Sequence, residues 1–244
     1  MEQIVATTCS SFLACAIVLP GTSTSGYTAS FSLTNGMGMD LTSISTWAAA
    51  TCPTTNVEVT VAPPTNAKQA VLTGDNSPAS LFNVQGAPLF SLVIQNVVIT
   101  RFGDGSSSFL GAVVANGIQR LWLSNVQVGP RNVGYFTGAV TVTDTVSAGF
   151  TASRFVSNVV VGVGSVEATE AAAAAVYVAL SSTATVRMSV VFTDCYLANN
   201  TLTGGANYGG AVAVSGANTF VVTGTTWVKY VVNFNRFRPL VVAR

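Results

Sequence analysis

Histidine is absent from this 244-residue chain, and charge is scarce: nine carboxylates and ten cations make up 8% of the residues. Without imidazole, the usual proton shuttle near neutral pH is missing. An ordinary soluble domain is roughly 25% charged; disordered chains carry charge and lack β-branched apolar residues, so disorder is not expected here. The net charge is +1, the first cation is Lys68, and Arg236 and Arg238 make the one basic cluster. A basic footprint is lacking, and no nucleic-acid partner is expected.

Long apolar runs are lacking too. The longest, Ala171–Leu180, covers ten positions, whereas a helix crossing a bilayer needs about 18. No membrane-spanning segment is therefore expected in the chain. Phe12 to Leu19 could pass for a leader core, yet Glu2 is the only charge before Asp40, and a leader opens with positive charge. Cys15 to Leu19 accordingly reads as a buried strand ended by Pro20-Gly21, with any export signal lying upstream. The four cysteines, Cys9, Cys15, Cys52 and Cys195, form no CxxC pair and have no histidine partner for zinc. Three of them fall in the first quarter, which suits either one disulfide closing that end or three small buried hydrophobes. Cys195, alone in an apolar segment, reads as core.

What is abundant is Val, Ala and Thr, in a chain that is 49% hydrophobic, and what is ordered is their repetition. Gly111-Ala112-Val113, Gly138-Ala139-Val140, Ala174-Ala175-Val176 and Gly210-Ala211-Val212 each open a β-branched run leading to a second apolar segment and a polar turn. Self-similarity at this period signals a solenoid, because one repeat cannot bury its own apolar face. Steps of 29 positions separate Asn96 from Asn125 and Asn125 from Arg154. A unit of that length, holding two or three short strands of period 2, suits one rung of a three-faced coil stacked ~4.8 Å above the last. A barrel or sandwich shares the local pattern but not the repeat length. The expected fold is all-β: a right-handed single-stranded parallel β-helix of roughly six to seven coils, one domain over residues 1–244, and a segment of a longer protein. Val113, Val140, Val176 and Val212 should form one internal row, and Asn96 and Asn125 a side-chain ladder. Residues 162–170 read as a loop inserted between coils, and Ala171–Ala175 could take a short helical turn by propensity.

At these residues the chain resembles the pectin-lyase-like parallel β-helix proteins, and more narrowly the polymorphic outer-membrane protein repeat. That repeat pairs a Gly-Gly-Ala-Ile/Val tetrad with a Phe-x-x-Asn tetrad. Gly209-Gly210-Ala211-Val212 matches the first, and Thr137-Gly138-Ala139-Val140 matches with Thr in the leading slot. Phe155-Val156-Ser157-Asn158 matches the second, while Tyr196-Leu197-Ala198-Asn199 and Tyr230-Val231-Val232-Asn233 match with Tyr for Phe. Ala16 to Gly21, followed by Phe31-Ser32-Leu33-Thr34, looks like the opening coil of such helices. The resemblance covers about residues 10–235 and implies a secreted or surface-exposed protein, in some members an adhesin carried by a membrane barrel. Nothing after Phe237 could be such a barrel.

Acid–base chemistry on a polysaccharide asks for two or more titratable groups held within ~10 Å. The acids are Glu2, Asp40, Glu58, Asp75, Asp104, Asp144, Glu167, Glu170 and Asp194, none adjacent to another. Asp104 and Asp144 could approach across coils but read as solvated turn residues. Glu167 and Glu170 share a loop without the dense oxygen spacing of a calcium site. Trp122, between Leu121 and Leu123, should face outward, half-buried beneath a loop. Asn199-Asn200-Thr201 is the single Asn-x-Ser/Thr sequence, open to glycosylation only in a eukaryotic secretory setting. No catalytic, cofactor-binding or metal-binding residue is assigned, and no cofactor is expected. The function expected is a non-catalytic extracellular or cell-surface module, structural or adhesive, whose partners are glycans or surface and matrix proteins. The alternative is a carbohydrate-active enzyme, lyase or hydrolase, on the same scaffold.

Overall fold

The structure, a computed structural model, describes residues 12–18, 28–32, 39–40, 56–63, 68–77, 80–105, 111–134, 137–161, 173–203, 211–228 and 233–235. Within them the chain makes repeated passes over three faces. The first pass is β1 (Phe12–Val18), β2 (Thr28–Ser32) and β3 (Met39–Asp40). The second is β4 (Asn56–Ala62), β5 (Gln69–Ser77) and β6 (Phe82–Gln85). The third is β7 (Phe90–Gln95), β8 (Val97–Phe102) and β9 (Val113–Asn116). The fourth adds a short strand: β10 (Arg120–Ser124), β11 (Gln127–Val128), β12 (Val133–Gly134), β13 (Val140–Thr143). β14 (Ser147–Thr151), β15 (Arg154–Val156), β16 (Val159–Val160) and β17 (Val176–Ala179) repeat that plan. So do β18 (Ser189–Thr193), β19 (Tyr196–Ala198), β20 (Thr201–Leu202) and β21 (Val212–Ser215). β22 (Thr219–Thr223), β23 (Thr226–Val228) and β24 (Asn233–Asn235) come last.

Each strand pairs in parallel with its counterpart one pass later, giving three seven-stranded sheets and one of three strands. Sheet A runs β1-β4-β7-β10-β14-β18-β22, sheet B β2-β5-β8-β11-β15-β19-β23, sheet C β3-β6-β9-β13-β17-β21-β24, and sheet D β12-β16-β20. This is a parallel β-helix. Sheet D lies beyond sequence reading, because a strand of two residues shows no period.

Alternation decides which side chains enter the core. In β10 the pattern buries Leu121 and Leu123 and turns Arg120, Trp122 and Ser124 outward. In-register stacking then lines like with like. Val113, Val140, Val176 and Val212 follow one another in register through sheet C, each fully buried, as the repeats predict. In sheet A the corresponding row is Val61, Ile94, Leu123, Phe150, Phe192 and Val222. The rings of Phe150 and Phe192 stack at 4.5 Å, and Phe155 meets Phe150 edge-on at 5.5 Å. Such pairs add roughly 0.5–1.5 kcal/mol beyond the area they bury.

Around sheet B the corners turn on a residue in the left-handed region. After Asn96, Arg101 and Asn125 the next residue is apolar and buried (Val97, Phe102 and Val126); at the later corners it sends a polar side chain inward to the backbone carbonyls left at the strand end. Between sheets A and B the turning residues are Asn96, Asn125, Ala152, Asp194 and Gly224, with φ of 55°, 51°, 48°, 52° and 59°. The expected ladder is there: Asn125 Nδ2 donates to Asn96 Oδ1 at 2.7 Å. The second 29-residue step, from Asn125 to Arg154, does not land on the same corner. Arg154 pairs with Gln127 inside sheet B, and Ala152 takes the corner, where its N–H donates to Thr193 O at 2.9 Å. An error of two residues keeps the in–out parity, so alternation alone gives no warning.

Ser153, Cys195 and Thr225 follow the turning residues of that corner. Ser153 Oγ donates to Thr151 O at 2.9 Å and Leu123 O at 3.3 Å. Cys195 Sγ donates to Thr193 O at 3.4 Å and Phe150 O at 3.2 Å. Thr225 Oγ1 donates to Thr223 O at 3.2 Å. Cys195 is core, as expected, and its thiol holds the place of a hydroxyl.

After sheet B the inward residues are three buried asparagines. Asn132 Nδ2 donates to Asn158 Oδ1 at 2.9 Å, and Asn158 Nδ2 to Asn200 Oδ1 at 2.9 Å. Each amide also donates to a strand-end carbonyl one pass below: Ile99, Val128 and Phe155 respectively. Asn158 is the asparagine of the Phe-x-x-Asn match. In the next pass Leu197 stacks on Phe155 and Asn200, not Asn199, joins the ladder, so the tetrad Tyr196–Asn199 sits one residue out of register. Asn233 pairs with Ala213 in sheet C and is no part of this corner. Residues 230–232 of that match lie outside the described residues.

The helical turn that propensity would allow at Ala171–Ala175 gives way to rung stacking. Ala173 bridges Thr137 in parallel, and Ala175 N–H donates to Ala211 O at 3.0 Å, while Ala171 and Ala172 lie outside the described residues. Tertiary pairing here overrides a helix preference worth tenths of a kcal/mol. The same close approach explains the glycine of the repeat. A Cβ on Gly138 would collide with the Ala173 and Ala174 carbonyls, which are backbone and cannot swing away. Gly138→Ala is therefore expected to lower stability by about 2–4 kcal/mol, read as a fall in urea midpoint at unchanged m-value. A variant as stable as the parent would remove this account of the motif.

Candidate functional site

A cleft of about 320 Å³ interrupts the surface of the described residues, at the corner between sheets C and A. It exists because the fifth pass does not turn tightly there. The corner positions are Gly86, Gly117, Asp144, Leu180 and Gly216, each donating its N–H or stacking in register with the next. After Leu180 the chain bulges out through 181–187 before β18 begins. The bulge forms one wall, through Ser181, Thr183 and Val186; Ile118 and Val146 of the rungs below form the other.

Asp144 sits in this cleft with φ 48°, and its Oδ1 accepts the Ser181 N–H at 2.7 Å. The carboxylate thus anchors the bulge, as an Asp does at a turn. Thr145, the next residue, points inward and donates to Thr143 O at 3.0 Å and Ala115 O at 3.3 Å. The cleft holds one carboxylate, the hydroxyls of Ser181 and Thr183 at 3.3 Å from one another, and an apolar floor. That set can accept and donate hydrogen bonds to a hydroxylated ligand; it lacks the second titratable group that proton transfer in two directions requires.

The other acids lie elsewhere. Asp104 follows β8 and is exposed, beside Gly105 whose N–H donates to Val133 O at 3.3 Å. Asp144 lies in the next pass and at the far end of the sheet C strands, so the structure does not bring the two together. Asp194 occupies the corner between sheets A and B, and Glu58 the outer face of β4. Glu167 and Glu170, with the expected loop at 162–170, lie outside the described residues, as do Cys9 and Cys52 of the expected disulfide. No group of three or more His, Cys, Asp or Glu residues gathers among the described residues. Burial raises the Cys195 thiol above its ordinary pKa, against the lowering effect of its bonds to backbone, which leaves it protonated and unreactive.

Trp122 faces outward and is half-buried, as alternation predicts, but no loop is needed to explain it. Its ring lies over Gly149 in the next strand, where a Cβ would collide with it, and the Arg120 guanidinium covers it at 4.6 Å from the centroid. The glycine in β14 is the sequence signal for a flat ring on the neighbouring rung. Arg154 covers Tyr196 at 4.8 Å on sheet B in the same manner. Both rings are engaged by guanidinium groups.

No helix among the described residues is long and apolar enough to cross a membrane. Comparison with family models, with curated protein sequences and with solved structures gave no match.

Proposed function

We propose that the chain is a non-catalytic, extracellular or cell-surface β-helix module with a structural or adhesive role. In this reading it is of the pectin-lyase-like class, with repeats of the polymorphic outer-membrane protein type. What supports the reading is the outer row of sheet A: Ser91, Arg120, Ser147, Ser189 and Thr219 stand in register on successive strands. Three hydroxyls at ~4.8 Å steps, Ser147, Ser189 and Thr219, with Arg120 and Ser91 continuing the row, offer one hydrogen-bonding face over five rungs, suited to glycans or to surface and matrix proteins. Such a face needs no single essential residue. A second reading, a carbohydrate-active enzyme, is favoured by the cleft at Asp144.

Incubation with pectate, polygalacturonate and a panel of neutral polysaccharides separates the two. The purified chain should release no unsaturated or reducing ends above a heat-killed control. Turnover abolished by Asp144→Asn or Asp104→Asn would replace the module by an enzyme. Asn tolerates the left-handed backbone and keeps an Oδ1 for Ser181, so loss of turnover in Asp144→Asn would report chemistry rather than unfolding.

A further inference from the structure

The corner after sheet B carries Arg101, Arg131, Ser157 and Asn199 in successive passes, all left-handed, with φ of 62°, 64°, 52° and 53°. Arg101, Arg131 and Asn199 are exposed, and the residue following each of Arg131, Ser157 and Asn199 is a buried ladder asparagine. Asn199 is thus held facing solvent by the same geometry that buries Asn200. It also opens the chain's single Asn-x-Ser/Thr sequence, Asn199-Asn200-Thr201.

We propose that Asn199 is an N-glycosylation acceptor, modified before the sixth pass closes onto the fifth. The reaction class is transfer from a lipid-linked oligosaccharide. The Asn199 Nδ2 forms a bond to the anomeric carbon, the bond from that carbon to the pyrophosphate oxygen breaks, lipid pyrophosphate leaves, and one amide proton passes to a base of the transferase. The Thr201 hydroxyl is the group by which the acceptor sequence is read.

The order of events follows from the hydrogen bonds. In the folded chain Asn200 is 4% exposed; its Oδ1 accepts the Asn158 N–H at 3.1 Å and its Nδ2 donates to Phe155 O at 2.9 Å. Thr201 N–H donates to Asn158 O at 2.8 Å, and β20 lies in register on β16. A transferase cannot thread a tripeptide whose middle residue is clamped inside the solenoid. Once folded, the chain still turns Asn199 to solvent, so an attached glycan displaces nothing. It also has something to cover. The Asn199 N–H reaches Val228 O at 3.4 Å, and Val228 is one of two large hydrophobic side chains exposed among the described residues.

The inference rests on the exported reading above, and the experiment supplies export itself. The full chain, preceded by a cleavable leader, is translated with microsomes, and entry is verified by protection from added protease. The protected parent and Thr201→Ser should carry one glycan, seen as a single upward mass shift reversed by peptide-N-glycosidase. Asn199→Gly, which keeps the left-handed backbone, and Thr201→Val should carry none. A protected parent chain without the shift, or a shift that persists in Asn199→Gly, would overturn the assignment. Folded chain offered to detergent-solubilised transferase should remain unmodified while urea-unfolded chain is modified; equal modification of both would overturn the order of events. None of these results bears on polysaccharide turnover, so this proposal and the module reading fail separately.

Discussion

Val140→Asp is expected to abolish the native state. Val140 is fully buried and stands between Val113 and Val176 in register, with apolar side chains of the same row above and below. No described cation faces the interior at that level, so a carboxylate there would be unpaired. Burying an unpaired charge costs several kcal/mol even after the group protonates. That reaches the ~4–5 kcal/mol that marks an exceptional single substitution, in a chain whose total stability is on the order of 5–15 kcal/mol. A solenoid adds a further consequence. Its stability is a sum over rungs and nearest-neighbour interfaces, so a break at the fourth pass separates the passes before it from those after it. The measurements are far-ultraviolet circular dichroism and a thermal melt. Ser147→Asp supplies the contrast: Ser147 lies on the outer face beside Arg120 in register, and its substitution should change stability by about 0.5 kcal/mol or less. Native-like dichroism and an unchanged melt in Val140→Asp would remove the internal row from the account.

That row is legible in the amino-acid sequence because it is carried by what sequence displays best. Each Gly-Ala-Val unit marks the start of a strand, alternation fixes its inward face, and the repeat length fixes which strand stacks on which. Corners are harder to read. The spacing from Asn96 to Asn125 is right because both residues sit at the turning position and are bonded to one another. The spacing from Asn125 to Arg154 is wrong because Ala152 turns the chain there with φ 48°, and alanine gives no sign of a left-handed turn. The inward polar residues are hidden by their chemical variety. Ser153, Cys195 and Thr225 do one task with three side chains, and only a three-dimensional stack shows that a thiol and two hydroxyls are equivalent. The cleft is half legible: Asp144 reads as a turn residue, but the partner that holds it, the backbone of Ser181, comes from 37 residues further on. Nothing in local pattern links the two.

The buried asparagine ladder carries the second large effect. Asn158 donates to Val128 O at 3.1 Å and Asn200 Oδ1 at 2.9 Å, and accepts from Asn132 Nδ2 at 2.9 Å. Asn158→Ala removes all three bonds at once. Each buried group left without a partner costs about 1–3 kcal/mol, so the substitution should cost roughly 3–5 kcal/mol in total by the same rule. Asn125→Gly removes one exposed ladder bond, keeps the left-handed backbone, and should cost roughly 0.5 kcal/mol or less. Asn158→Asp is the sharper test, because it keeps the shape and reverses the chemistry. An ionised carboxylate only accepts hydrogen bonds, and it would face the Val128 carbonyl and Asn200 Oδ1, two acceptors. Burial and those acceptors raise its folded pKa above the unfolded value of about 3.9. Between those two values the folded form binds more protons than the unfolded one, so stability falls as pH rises and recovers as pH drops. Protonation restores one O–H donor at the place where Nδ2 was. Urea unfolding of Asn158→Asp at pH 7 and pH 4.5 should therefore show the variant gaining on the parent at the lower pH. The background is favourable, since the whole chain has nine carboxylates and no histidine. A loss for Asn158→Ala no larger than for Asn125→Gly, or an Asp variant that fails to gain on acidification, would show that the corner after sheet B is held by backbone pairing alone.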